Sequence, residues 1–92
     1  MAKFELLQTK LFRKEYKKLS SRLKDEVDKV LEKLENGETL ESKHKDHGLS
    51  GNLSGLRDCH VRFDLVLIYQ KDGQNLIITA MRINTHSEIF KK

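Results

Sequence analysis

Three histidines and one aspartate, His47, His60, Asp64 and His86, are the groups in this chain best suited to moving protons near neutrality. An imidazole with its ordinary pKa of about 6.5 offers both its acid and its base form at that pH. Such groups can cut RNA without a metal. One takes the proton from a 2'-hydroxyl, another protonates the departing 5'-oxygen, and a cation steadies the crowded phosphorus between them. Arginine suits the last role because its planar fork matches two phosphate oxygens at once, and Arg57 and Arg82 are the candidates. A lone histidine is more often a satisfied surface or core residue, so the case rests on these side chains being brought together.

The same residues leave a second chemistry open. His44 and His47 could join His60, Asp64 or His86 as nitrogen and oxygen ligands of zinc or a similar ion, although the chain has neither an HExxH motif nor paired cysteines. Cys59 makes a poor nucleophile, because its neighbour His60 points to the other side of an extended strand. No glycine-rich phosphate loop followed by Lys and Ser or Thr occurs, so nucleotide hydrolysis is unsupported. No metal and no cofactor is expected.

The elements that would position these groups follow from periodicity. Residues 3–8 alternate around Phe4 and Leu6 and predict a first strand; Thr9 then caps a basic amphipathic helix with Leu11, Phe12, Tyr16 and Leu19 on its apolar stripe. Ser20 and Ser21 break that helix and cap a second, where Leu23, Val27, Val30, Leu31 and Leu34 recur at steps of three and four until Asn36-Gly37 ends it. The pair forms a hairpin whose stripes belong to the core. Periodicity then vanishes over 38–54, which predicts a loop carrying His44 and His47.

Strand patterning resumes at Leu56. Arg57, Cys59 and Val61 share one face, and Asp58, His60 and Arg62 the other. The run Leu65 to Tyr69 is apolar on both faces and belongs in the middle of a sheet. Asp72-Gly73 marks a hairpin turn into a last strand from Leu76 to Arg82, and His86 falls just past its end, ahead of a short helical turn. The expected class is α+β: a first strand, a two-helix hairpin on one face of a mixed, mainly antiparallel four-stranded sheet, and a short C-terminal helical turn.

Length and composition bound the rest. At 92 residues the chain makes one domain, 1–92, with a single small core. A hydrophobic fraction of 37% and a charged fraction of 35% are ordinary for a soluble globular protein. No stretch approaches the roughly 20 apolar residues of a membrane helix, and no secretory signal is evident. Cys59 is the only cysteine, which excludes an internal disulfide and suits a reducing compartment. The expected location is the cytoplasm, with no membrane partner. A net charge of +4 tilts the domain modestly toward polyanions.

The motifs together carry a resemblance. Lys45-Asp46-His47-Gly48-Leu49-Ser50-Gly51, Gly55-Leu56-Arg57-Asp58-Cys59-His60-Val61, Asp64 with Leu67-Ile68-Tyr69, and Arg82 with Thr85-His86-Ser87-Glu88-Ile89-Phe90 resemble, in that order, the YafQ branch of the RelE/ParE toxins. The resemblance implies a type II toxin, an endoribonuclease that cuts messenger RNA in the ribosomal A site. It also implies a RelE-like fold and a cognate antitoxin, encoded beside the toxin, that binds DNA and silences its partner. Operator DNA would be reached only through the antitoxin complex.

By position, His47, His60, Asp64 and His86 align with that family's catalytic set and Phe90 with its terminal aromatic. His60 and His86 would exchange protons with the RNA while His47 and Asp64 assist. Lys45 and Phe90 join Arg82 and Arg57 among the groups expected to meet RNA or steady its phosphate. Arg57, on the Cys59 face, suits anchoring the loop from within as well as a phosphate contact, and Arg82 is the preferred clamp. The chain departs from the family pattern at Phe63, where proline is common, at Leu65, where an aromatic can occur, and at Asn84, where glycine is usual and a left-handed turn is expected. Two alternatives share the fold: a ParE-like toxin without nuclease activity, and an inactive relative kept as an antitoxin-binding corepressor.

Overall fold

The computed structural model of the chain describes residues 3–91. A strand, β1 (Glu5–Gln8), leads into two helices, α1 (Lys10–Lys17) and α2 (Ser21–Glu35). Then come β2 (His47–Gly48), β3 (Arg57–Arg62), β4 (Leu65–Asp72), β5 (Ile77–Asn84) and a single-turn helix, α3 (His86–Ile89).

Local chemistry sets the helix ends. The Thr9 hydroxyl accepts from the Phe12 amide at 3.0 Å and donates to the Met81 carbonyl at 2.8 Å, so one side chain caps α1 and ties it to β5. Ser20 caps α2 through the Leu23 amide at 3.3 Å. At its far end Gly37 takes a φ of 75°, and the Gly37 and Glu38 amides donate back to Leu34 and Lys33, each at 3.0 Å. That pattern needs a left-handed residue, and a Cβ on Gly37 would come within 2.8 Å of the Lys3 side chain.

The sheet runs in the order β1-β5-β4-β3-β2, with β1 parallel to β5 and every other pair antiparallel. It has five strands where four were expected. The extra one, β2, lies inside the expected loop, and two residues are too few to show an alternation. The last strand begins later than expected, because Leu76 takes a φ of 57° in the preceding turn, and it runs on to Asn84.

The helices cover one face. Phe12 from α1 and Val27, Val30, Leu31 and Leu34 from α2 join Cys59, Val61, Leu65, Leu67, Tyr69, Ile78, Ala80 and Ile83 in one buried cluster. Leu11, expected on the core stripe, is exposed. It lines an apolar groove of about 310 Å³ with Leu53, Leu56, Ile68, Met81 and Ile89.

A bulge in β5 decides what the opposite face carries. Tyr69 pairs with Ala80 but its neighbour Ile68 pairs with Arg82, so Met81 is an extra residue. Side chains alternate along a regular strand, so if Met81 counted in register Arg82 and Asn84 would enter the core and Ile83 would leave it. With the bulge, Ile83 is buried and both polar residues reach the open face.

Candidate active site

Two cross-strand rows form the open face. In one, His47 on β2 opposes Asp58 on β3, which opposes Ile68 on β4, which opposes Arg82 on β5. In the next, His60 opposes Val66, which opposes Asn84. His47 and His60 are therefore diagonal neighbours, roughly 7–8 Å apart at the backbone. His60 and Asn84 stand two strand spacings apart, roughly 10 Å, and His86 opens α3 two residues beyond Asn84.

Each ring is held differently. His47 is exposed, and its Nδ1 donates to the Lys45 carbonyl at 2.7 Å, which leaves Nε2 as the lone-pair nitrogen of the neutral ring. Lys45 itself is exposed and takes a φ of 48°. His60 is half-buried, with Nε2 at 3.6 Å from Oδ1 of Asp58. His86 is exposed at the start of α3, where Thr85 caps the turn through the Glu88 amide. Its ring leans on Phe90 at 4.6 Å between centroids.

Asp64 sits in the β3–β4 turn, exposed, with a φ of 63°. That left-handed conformation is tolerated better by Asp than by most residues with a Cβ. Phe63 beside it is 97% exposed.

The two arginines are both engaged. Nε of Arg57 donates to Oδ1 of Asp46 at 3.1 Å and to the Tyr69 hydroxyl at 3.3 Å, and that hydroxyl donates to the same carboxylate at 2.7 Å. Hydrogen bonding to Tyr69 and then the Asp46 carboxylate raise the Arg57 pKa against the opposing effect of burial. The cluster anchors the segment carrying His47, which is the anchoring role weighed for Arg57.

Arg82 is gripped by Glu15 of α1 through Nη2 at 2.7 Å and Nε at 3.3 Å. Glu15 also accepts from the Ile83 amide at 3.2 Å and the Asn84 side chain at 2.9 Å. Burial acts to raise the Glu15 pKa, but these hydrogen bonds and the Arg82 charge outweigh it and hold the carboxyl below its ordinary value. Asn84 is thus extended and bonded, not left-handed as expected.

His44 does not join the site. It is buried, with Nδ1 donating to the His60 carbonyl at 2.7 Å. Among the described residues no three of His, Cys, Asp and Glu gather where they could hold a metal ion. Burial pushes the Cys59 thiol up, away from the reactive thiolate.

Sequence reasoning missed Asp58 and Glu15, and both left a signal. Asp58 lies two residues from His60, the spacing of one strand face. Glu15 lies three residues from Phe12 and so falls on the apolar stripe of an otherwise basic helix.

No helix of the described residues is long and apolar enough to cross a membrane. A family model described as a bacterial toxin of type II toxin-antitoxin systems, YafQ, matches residues 4–91. The mRNA interferase toxin YafQ of Escherichia coli is 37% identical over 51 residues, covering 55% of this chain and 53% of that protein. The chain spans about half the length of the curated relatives it matches.

Among solved structures, the E. coli DinJ-YafQ toxin-antitoxin complex superposes with a TM-score of 0.82 at 27% identity, covering 96% of this chain and 98% of that one. A metal-bound toxin from Helicobacter pylori gives 0.81 at 32% identity, covering 95% and 99%. With the mixed sheet, the helix pair and the ordered motifs all in place, the chain belongs to the YafQ family of bacterial type II toxins.

Proposed function

We propose that this protein, working as a single domain, is a ribosome-dependent endoribonuclease that cuts messenger RNA by acid-base catalysis without a metal. The observation that carries the reading is the pair of rows on the open face, which set His47 and His60 on neighbouring strands and lead to His86 at the end of β5. The E. coli relative's name as an mRNA interferase supports the same substrate class.

In the reaction one imidazole removes the 2'-hydroxyl proton, and the 2'-oxygen attacks phosphorus. The bond to the 5'-oxygen breaks and a second imidazole protonates that oxygen, leaving a 2',3'-cyclic phosphate. His60 and His86 exchange these protons, with His47 and Asp64 assisting. Arg82, oriented by Glu15, steadies the phosphate with the donors Glu15 leaves free. Lys45 adds positive charge, and Phe90 supports the His86 ring.

A cognate antitoxin binds and silences the toxin, as the solved complex of DinJ with E. coli YafQ suggests by likeness. Operator DNA is contacted only through that complex, and the protein works in the cytoplasm. Primer extension on translated messages after induction tests the reading. Wild type should give ribosome-dependent cuts and growth arrest, and a folded His86→Ala protein should give neither. Equal cleavage by that variant, or gyrase inhibition with intact messages, would overturn it.

A further inference from the structure

Asp58 is 2% exposed, and its Oδ1 has no hydrogen-bond partner among the described residues. A buried polar atom left unpaired costs about 1–3 kcal/mol, more when charged, so it calls for an explanation. Its surroundings narrow the choice. Ile68, opposite it on β4, cannot pair with a carboxylate. Arg57, next in sequence, is held by Asp46 and Tyr69, and Arg82 is held by Glu15. On β2, His47 opposes Asp58, but its Nδ1 is bound to the Lys45 carbonyl. The group that faces the orphaned oxygen is Nε2 of His60, at 3.6 Å.

We propose that Asp58 is a positioning residue: its buried carboxylate takes the Nε2 proton of His60 as a hydrogen bond, so that His60 trades protons with RNA through Nδ1 alone. The proposal rests on the nuclease reading of the site and adds the atom through which His60 works. The present separation is longer than a hydrogen bond, and such contacts are often long before substrate binds and close when it does.

The backbone is already fixed for this. The His60 carbonyl accepts from buried His44, which pins the peptide from the helix side and leaves rotation of the imidazole as the remaining freedom. A carboxylate on one ring nitrogen selects one tautomer, and the opposite nitrogen becomes the one available for exchange. Whether the ring is neutral or charged, Nε2 then keeps its proton.

The test reads the tautomer directly. In histidine-labelled toxin at a pH where the ring is neutral, ring nitrogen-15 shifts should report His60 with the proton on Nε2. Asp58→Ala should give a mixture of both tautomers and slow single-turnover cleavage on ribosomes on the order of 10²-fold. Asp58→Asn keeps an acceptor oxygen and should restore the Nε2 form. A wild-type ring protonated on Nδ1, or an unchanged tautomer in folded Asp58→Ala, overturns the proposal. Should Asp58→Ala fail to fold, the wild-type and Asp58→Asn spectra decide alone. The spectra need no RNA, so a toxin with the expected tautomer but no cleavage would sink the nuclease reading and leave the assignment of Asp58 standing as geometry.

Discussion

The carboxylate of Glu15 meets the guanidinium of Arg82, 67 residues further along the chain, at 2.7 and 3.3 Å. It also takes the Ile83 amide at the edge of β5, where β1 has ended and, among the described residues, no further strand is paired. One side chain therefore closes the sheet edge and aims an arginine toward the open face.

Replacing Glu15 by Gln should lower stability by on the order of 3 kcal/mol at neutral pH, because a charge-assisted pair is broken at a site where Glu15 is only 7% exposed. The folded carboxyl titrates below its ordinary value of 4.5. Its contribution is thus complete above that pH and is lost as pH falls through the depressed folded value. Urea unfolding of both proteins across the acid range should show their stabilities converging as pH drops.

The β5 bulge makes a prediction about which face each residue serves. Ile83→Ala should cost about 2–5 kcal/mol, as for other buried isoleucines, whereas Met81→Ala, at a half-buried position on the groove, should cost less. Paired chemical denaturation curves check it. The reverse order would mean that β5 alternates regularly and that Arg82 does not reach the site.

Tyr69→Phe removes the hydroxyl that donates to Asp46 at 2.7 Å. Loss of this part-buried hydrogen bond to a carboxylate should cost about 1.5 kcal/mol, the lower end for bonds to charged groups. Because Asp46 adjoins His47, messenger cleavage should fall further than the remaining folded fraction explains. Hydrogen exchange in 45–49 should quicken in step.

Chelation offers a separate check on the chemistry. Toxin stripped by a chelator and then returned to ribosomes in magnesium buffer should cut as fast as untreated toxin. A loss restored by zinc or copper would assign the histidines to a metal and overturn acid-base catalysis by free imidazoles.

Much of the fold was legible because its signals are local. Thr9, Ser20 and Asn36-Gly37 sit where helix caps must sit, and each performs the expected bond. The apolar run from Leu65 to Tyr69 is wholly buried, as a central strand must be. What escaped was long-range. A two-residue strand has no period, and a bulge shows only as the step of three between Ala80 and Ile83.

The same divide holds for the site. Histidines announce by type the chemistry they could do, and motif order supplied the candidate set His47, His60, Asp64 and His86. Their supports, Glu15 for Arg82 and Asp46 with Tyr69 for Arg57, are ordinary residues distant in sequence, and only the tertiary fold pairs them. Asn84 shows the hazard of borrowing a turn from relatives: here it continues a strand and bonds to Glu15.

The parallel pairing of β1 with β5 bears on biogenesis. A nascent polypeptide that has passed only the β4 hairpin has no partner for Glu5–Gln8, no Ile83 amide for Glu15, and no His86. Such distant pairing cannot form early, since its loop must close first. Completion of the sheet edge, of the Glu15 anchor and of the His86 end of the candidate site is consequently deferred until translation has passed β5.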